Sequence, residues 1–311
     1  MDTKPALDDD VRKALAGPLF GYAKPLKVAW TWNRSGKPAD SGELLSDLEK
    51  AEQLLAELAK DYDEQPVRFE QAFNFVRQKK RPQALAILRA AELTFRHTLG
   101  EDTLSLMGRL HKDEGDDALA QDDLGNAENA YRKAQELYDR AAALNRDRFP
   151  AINAATLAFL RAGLVKGMAD RLLAEQADDG QIVLAMNGTA DELKRNARLR
   201  AAELLRTRKD WVPRLPDDPI WIHATAAEAA VLSESWSAAA TDYAAALGPD
   251  NEPKPFHFDS IYGQIRRLLE GYKRLGERFG GPLADPAAFF NDLARKANVT
   301  WSAPTPPETA K

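Results

Sequence analysis

The sequence predicts an all-α protein built as a stack of helical hairpins, an α-solenoid, and three observations carry that expectation. From Ser46 to about residue 277, apolar residues recur at helical spacing in one stretch after another; Leu44, Leu45, Leu48, Ala51, Leu54, Leu55 and Leu58 begin the series. Short breaks separate the stretches, near residues 62–66, 79–82, 100, 115–125, 145–150, 163–167, 177–188, 212–219 and 248–255. Convincing strands are absent, since the apolar run at residues 181–185 is too short to carry a sheet. A stack of hairpins also suits a chain of 311 residues, because each repeat needs a core only with its neighbours.

Residues 1–42 are the least regular part, with Pro5, Pro18, Pro25 and Pro38 set among Gly17, Gly21, Gly36 and Gly42. They read as an irregular N-terminal arm. Within it, residues 26–32 alternate apolar and polar, which predicts one strand or, lacking a partner strand, an extended arm docked on the helices. Asp8, Asp9 and Asp10 read as a helix start rather than a metal site. Residues 43–280 form the repeat region, with residues 258–275 as a solvating C-terminal cap. Residues 281–311 add a short helix and a proline-rich tail, disordered from residue 302.

Two windows share one internal spacing. In Ala72, Phe75, Ala84, Leu88, Ala91 and in Ala227, Ala230, Ala239, Tyr243, Ala246, a small residue is followed by others at the same four offsets. Two antiparallel helices approach closely only where small side chains face each other, so Ala72 with Ala84 and Ala227 with Ala239 mark crossing points. This is the small/large pattern of a tetratricopeptide hairpin. Pro82 suits the first turn of a second helix. A third unit fits if Gly108 and His111 lie on its first helix, and Ala127, Tyr131 and Ala134 follow after a seven-residue insertion at residues 115–125. A fourth, weaker unit opens at Ala155 or Thr156 and closes at Leu172 and Leu173. Residues 191–208 read as a single helix or part of a degenerate unit.

Several segments in order carry a family resemblance. They are Ala72 to Arg77 (Ala-Phe-Asn-Phe-Val-Arg), Met107 to Asp113 (Met-Gly-Arg-Leu-His-Lys-Asp), Ala127 with Tyr131 and Ala134, Phe149 to Ala158, and Trp221 to Ala230. Together they resemble the TRAF-binding regulatory region of the apoptosis-signal-regulating kinases, and more closely its stand-alone bacterial relatives, over roughly residues 65–250. The resemblance implies a tetratricopeptide-like region used for protein assembly in signalling. The kinase itself is absent: there is no Gly-rich phosphate loop and no His-Arg-Asp catalytic loop.

Composition narrows the function. Charged residues make up 29% with both signs interspersed, and the net charge is -5, so no strongly basic domain points to nucleic acid. There is no cysteine, which removes thiolate catalysis and zinc-thiolate sites. With no secretory pattern at the N-terminus and no bilayer-length apolar stretch, the expected address is the cytoplasm, away from membranes. No cofactor is expected.

The expected site is the inner groove of the solenoid, taking a protein or peptide segment through Phe73, Arg77, Arg109, Lys112, Asn153 and Arg161. Cationic and amide groups there would meet a partner's carboxylates. The plain alternatives are an intrahelical Arg109–Asp113 pair with Lys112 solvated, and a structural Asn153 that caps or bonds the backbone of a neighbouring hairpin. His111 and Glu114 lack a second metal-binding pair, and the acidic run at residues 113–117 reads as well solvated, with no general-acid role. Trp30 and Trp32 would pack on the first helices, or fill a groove as lid or bait. The sequence therefore predicts a non-catalytic interaction scaffold in bacterial signalling or stress, with a peptide or small-molecule sensor closed by the N-terminal arm as the alternative.

Overall fold

A computed structural model describes residues 7–16, 23–39, 45–95, 98–145, 147–175, 180–213 and 218–304. Among them every regular element is helical, and the helices pack in consecutive pairs of tetratricopeptide type. The chain divides into two compact units, residues 1–110 and 111–311.

The first unit holds α1 (Asp9–Leu15), α2 (Ala23–Ser35), α3 (Asp47–Asp61), α4 (Gln65–Arg77), α5 (Arg81–Phe95) and the start of α6 (Glu101–Ala120). The Asp8 side chain caps α1 by accepting from the Asp10 amide, as the acidic run suggested. A reciprocal Ser46–Glu49 box starts α3. Residues 26–32 are not a strand or an extended arm: they lie inside α2. Its packed positions, 25–26, 28–29 and 32–33, follow a helical period. Ala29 joins Val11, Leu54, Leu55, Leu58 and Val67 in a core that Trp32 flanks, whereas Trp30 is half exposed.

The second unit continues α6 and adds α7 (Leu124–Asn145), α8 (Arg148–Ala174), α9 (Gly180–Thr207), α10 (Asp218–Leu232), α11 (Trp236–Ala246), α12 (Pro255–Arg274) and α13 (Pro286–Lys296). Three sequence expectations change here. The break at 163–167 lies within α8; Gly163 is there because a Cβ would meet Gly271 O of α12 at 3.1 Å. The apolar run 181–185 is the first turn and a half of α9, which is the hairpin partner of α8 in place of Leu172 and Leu173. The helix over 258–275 is no solvating cap. Phe258, Ile261, Ile265, Leu268 and Tyr272 of α12 are buried in the main core, against α8 and α10.

The hairpins α4–α5, α6–α7 and α10–α11 are built to one plan. Each first helix ends in a left-handed residue, Lys79, Asp122 or Glu234, with φ near +60° (61°, 60° and 57°). The amide after each donates back to the carbonyl of Phe75, Ala118 or Ala230 at 2.8, 3.0 and 2.8 Å, the helix-ending pattern of a Schellman turn. Counting back from these turns sets the register of the third hairpin. Its crossing residue is Gly115, and Ala118, Ala127, Tyr131 and Ala134 follow at the same offsets as in the other two. The insertion expected at 115–125 does not exist; α6 is simply longer at its start. A Cβ on Gly115 would lie 2.4 Å from the Tyr131 ring, so this crossing is closer than an alanine permits.

Candidate functional site

The corrected register fixes which side chains stand at matching positions beside the crossing residues. Phe73, Asp116 and Glu228 occupy one repeat position, directly after the crossing residue; Phe69 and Lys112 occupy another, one turn earlier.

In the second unit these positions converge on a polar junction. Lys112 (8% exposed), Asn153 (2%), Glu228 (6%) and Gln264 (8%) come from α6, α8, α10 and α12. Lys112 Nζ donates to Asn153 Oδ1 at 2.8 Å and to Gln264 Oε1 at 3.3 Å. Gln264 Nε2 donates to Asn153 Oδ1 at 3.3 Å and to Glu228 Oε2 at 3.4 Å. Arg267, one turn on from Gln264, donates to Gln264 Oε1 at 2.8 Å and through Nε to both Asp116 oxygens at 3.1 Å. Asp116 also accepts from Tyr131 Oη at 2.7 Å. Lys112 and Glu228 are thus joined through an amide.

Burial governs the electrostatics. It lowers Lys112 to about 7, helped by Arg267 and opposed by Asp116, Glu228 and Asp113. It raises Glu228 to about 7, opposed by Lys112, the Gln264 bond and Arg267. For Asp116 burial pushes upward, but the Arg267 guanidinium outweighs it and holds the carboxyl below its usual range. Burial and Asp116 push the Tyr131 phenol far up. Asp116 is therefore not the solvated acid expected from the run 113–117.

Of the six expected site residues, the structure brings Lys112 and Asn153 together, beneath α12 rather than in an open groove. Asn153 also back-bonds Phe149 O at 2.9 Å. Arg161 points to α7, where it bonds Glu128 at 2.9 Å and Gln135 at 2.8 Å. In the first unit, Phe73 is half-buried under the Arg34 guanidinium of α2, 4.9 Å from its ring centroid. Arg34 also bonds Glu70 at 3.1 Å and lies 4.2 Å over Trp30. Beside it, fully buried Asn33 donates to the Glu70 carboxylate at 2.9 Å and accepts from Asn74 at 2.7 Å. Arg77 and Arg109 are exposed. Arg109 stands on the same side of α6 two turns before Asp116, on the part of the helix that lies before the junction, because the register that chose it began at Gly108, seven residues too early.

Sequence reasoning missed Asp116, Tyr131, Glu228, Gln264 and Arg267. One signal was present: Glu228 is the lone charge in Ala224–Leu232, a run buried from end to end. His111 Nδ1 lies 2.7 Å from Glu114, an intrahelical contact. No group of three or more His, Asp or Glu is placed to hold a metal among the described residues.

Residues 43–158 match the family model described as Tetratricopeptide Repeats-Sensor. The match covers just over a third of the chain, from the segment before α3 into the middle of α8. No curated protein matches the chain. Lys112, Asp116, Tyr131 and Asn153 fall inside the matched region; Glu228, Gln264 and Arg267 fall outside it. No helix among the described residues is long and apolar enough to cross a membrane.

Proposed function

We propose that this chain is a non-catalytic protein-interaction scaffold, an adaptor of a cytoplasmic bacterial signalling or stress system. Tetratricopeptide-type repeats generally mediate contact between proteins, and residues 43–158 carry them. The observation that carries the reading is that the first-helix faces already hold helices: α2 on α4 in the first unit, and α12 on α6, α8 and α10 in the second. Both are held by side-chain amides and guanidinium groups meeting carboxylates. Such faces suit a partner helix presented in a groove. The mixed surface and acidic balance favour protein over nucleic acid as partner.

Arg77 and Arg109 are the expected site residues left open to a partner, which favours an acidic segment. Phe73 becomes accessible if α2 shifts, and Lys112 with Asn153 if α12 does. The products of neighbouring genes are the first candidates for capture. Arg77→Glu combined with Arg109→Glu is expected to weaken that capture at least tenfold. The unfolding midpoint should hold, because exposed substitutions change stability by within about 0.5 kcal/mol. Equal capture by the charge-reversed chain would overturn the assignment of the site.

A second reading, a peptide or small-molecule sensor, is favoured by the cover of α2 over Phe73 and by the description of the matched family. It predicts a ligand that raises the unfolding midpoint of the purified chain with no second protein present. Asn33→Ala with Arg34→Ala should change that shift, because these residues hold α2 to Glu70. A thermal-shift screen without any stabilising compound, beside a demonstrated protein partner, decides for the scaffold.

A further inference from the structure

Residues 11–39 carry six cations and no carboxylate, in a chain whose net charge is -5. The six are not equally placed. Arg12 and Lys13 pair within α1, with Asp9 and Asp10. Those of α2 stand on its outer face. Lys24, Lys27, Trp30 and Arg34 follow one another at spacings of three and four, so they form a stripe along the helix. Lys24 and Lys27 are exposed, and Trp30 keeps 47% of its surface in solvent. Gly36 ends the stripe. Its φ of 57° turns the chain, and its bare Cα lets Arg77 lie against the end of the helix, where a Cβ would stand 2.6 Å from Nη2. Exposed Lys37 comes next, its carbonyl accepting from the Asp47 amide at 3.0 Å.

This face is held outward and its charge is not neutralised. Leu26, Val28 and Trp32 pack on the core of the first unit, and Asn33 is fixed between Glu70 and Asn74, so α2 cannot turn its cations inward. The Arg34 guanidinium lies over the Trp30 ring and spends its charge on Glu70 at 3.1 Å. Among the described residues, Lys24, Lys27, Lys37 and Arg77 have no ion pair. Lys24 and Lys27, one turn apart, repel each other, so the helix itself gains nothing from them. A face kept only for solubility would mix its charges and bury its tryptophan.

We propose that the outer face of α2 binds an acidic peptide segment, with carboxylates on Lys24, Lys27, Lys37 and Arg77 and one apolar side chain on Trp30. Charge complementarity names the partner. From Lys24 to Ser35 the helix is about 17 Å long, the reach of about three turns of a partner helix. Tryptophan and arginine are the side chains that most often anchor an interface, and a guanidinium takes a carboxylate with two bonds. A lipid surface fits less well, because a helix lying on a bilayer inserts its apolar side, and that side of α2 is packed in the core. Nucleic acid fits less well because the chain as a whole is negative. The proposal rests on the scaffold reading and adds to it a face and the charge of what binds there.

Fluorescence anisotropy of the full chain tests it. The probe is a labelled synthetic peptide of about 16 residues, long enough to span α2, glutamate throughout save for leucine at every fourth position. The same peptide with lysine for glutamate is the control. The acidic peptide should bind, the basic one should not, and added salt should weaken the binding. Lys24→Glu with Lys27→Glu should weaken it about tenfold, and Trp30→Ala at least about threefold. Arg89→Glu with Lys133→Glu, exposed on α5 and α7, changes the net charge equally and should leave binding within about twofold. Unfolding midpoints should hold throughout, because Asn33 keeps α2 seated. Acidic and basic peptides bound alike, equal losses in the two charge reversals, or a Trp30→Ala chain that binds as the parent does would each overturn the proposal. So would single-stranded DNA, or vesicles with about 30% phosphatidylserine, bound more tightly than the peptide and released by the Lys24 and Lys27 reversal, since the face would then serve phosphates. If a variant does not fold, the two peptides on the unmodified chain decide. The probe stands in for any natural partner, so its failure strikes this face alone and leaves capture through Arg77 and Arg109 to decide the scaffold.

Discussion

Lys112→Glu is expected to cost the second unit on the order of 4 kcal/mol, enough to unfold much of it. The ammonium is buried and donates to Asn153 and Gln264, and its surroundings include Asp113, Asp116 and Glu228. Reversal puts another carboxylate into that set, faces it with amide oxygens, and leaves Glu228 without its cation. Urea unfolding followed by circular dichroism measures the loss. Arg109→Glu, three residues back on the same helix but exposed, should stay within about 0.5 kcal/mol of the natural chain. A folded, stable Lys112→Glu chain would mean that the junction is far wetter than its geometry implies.

Gly115→Val should be comparably severe, about 3 kcal/mol or more. Even the first side-chain carbon would stand 2.4 Å from two carbons of the Tyr131 ring. The ring has no room to retreat, because it is fully buried and its hydroxyl is fixed by Asp116. Gly188 is the internal control. A Cβ there meets nothing within 4 Å, and the residue sits inside α9, so Gly188→Ala should stabilise the chain by about 0.5–1 kcal/mol. Thermal unfolding of the two variants side by side measures both signs; a Gly115→Val chain as stable as the parent would refute the assigned crossing.

The helical class and two of the three regular hairpins were legible because helical period and small-residue spacing are local signals. Ala72 with Ala84 and Ala227 with Ala239 are fully buried where their spacing placed them. The third hairpin was misread by seven residues because α6 carries two glycines, Gly108 and Gly115, and its first half lengthens the helix without altering the turn. The left-handed turn residue distinguishes the two, but Asp122 leaves only a faint mark in sequence. Leu26, Val28, Trp30 and Trp32 suggested a strand because they alternate over seven residues; the buried Ala29 among them and the buried Asn33 just after them, four apart, decide for a helix. For the site, Lys112 and Asn153 were found, but their partners lie up to 152 positions away on α12. Nothing local in residues 255–274 tells a core helix from a terminal cap. That is why the groove was expected to be open.

The placement of α12 also sets where this chain can be cut. A fragment following the family match would stop at Ala158, in mid-helix, and would discard Phe159, Glu228 and the whole of α12. Lys112 and Asn153 would then face water with their partners gone, and α8 would lose the ring that packs against Gly271. The smallest piece that preserves the second unit's chemistry must run past Arg274, so the border drawn by sequence similarity is not the border of a folding body.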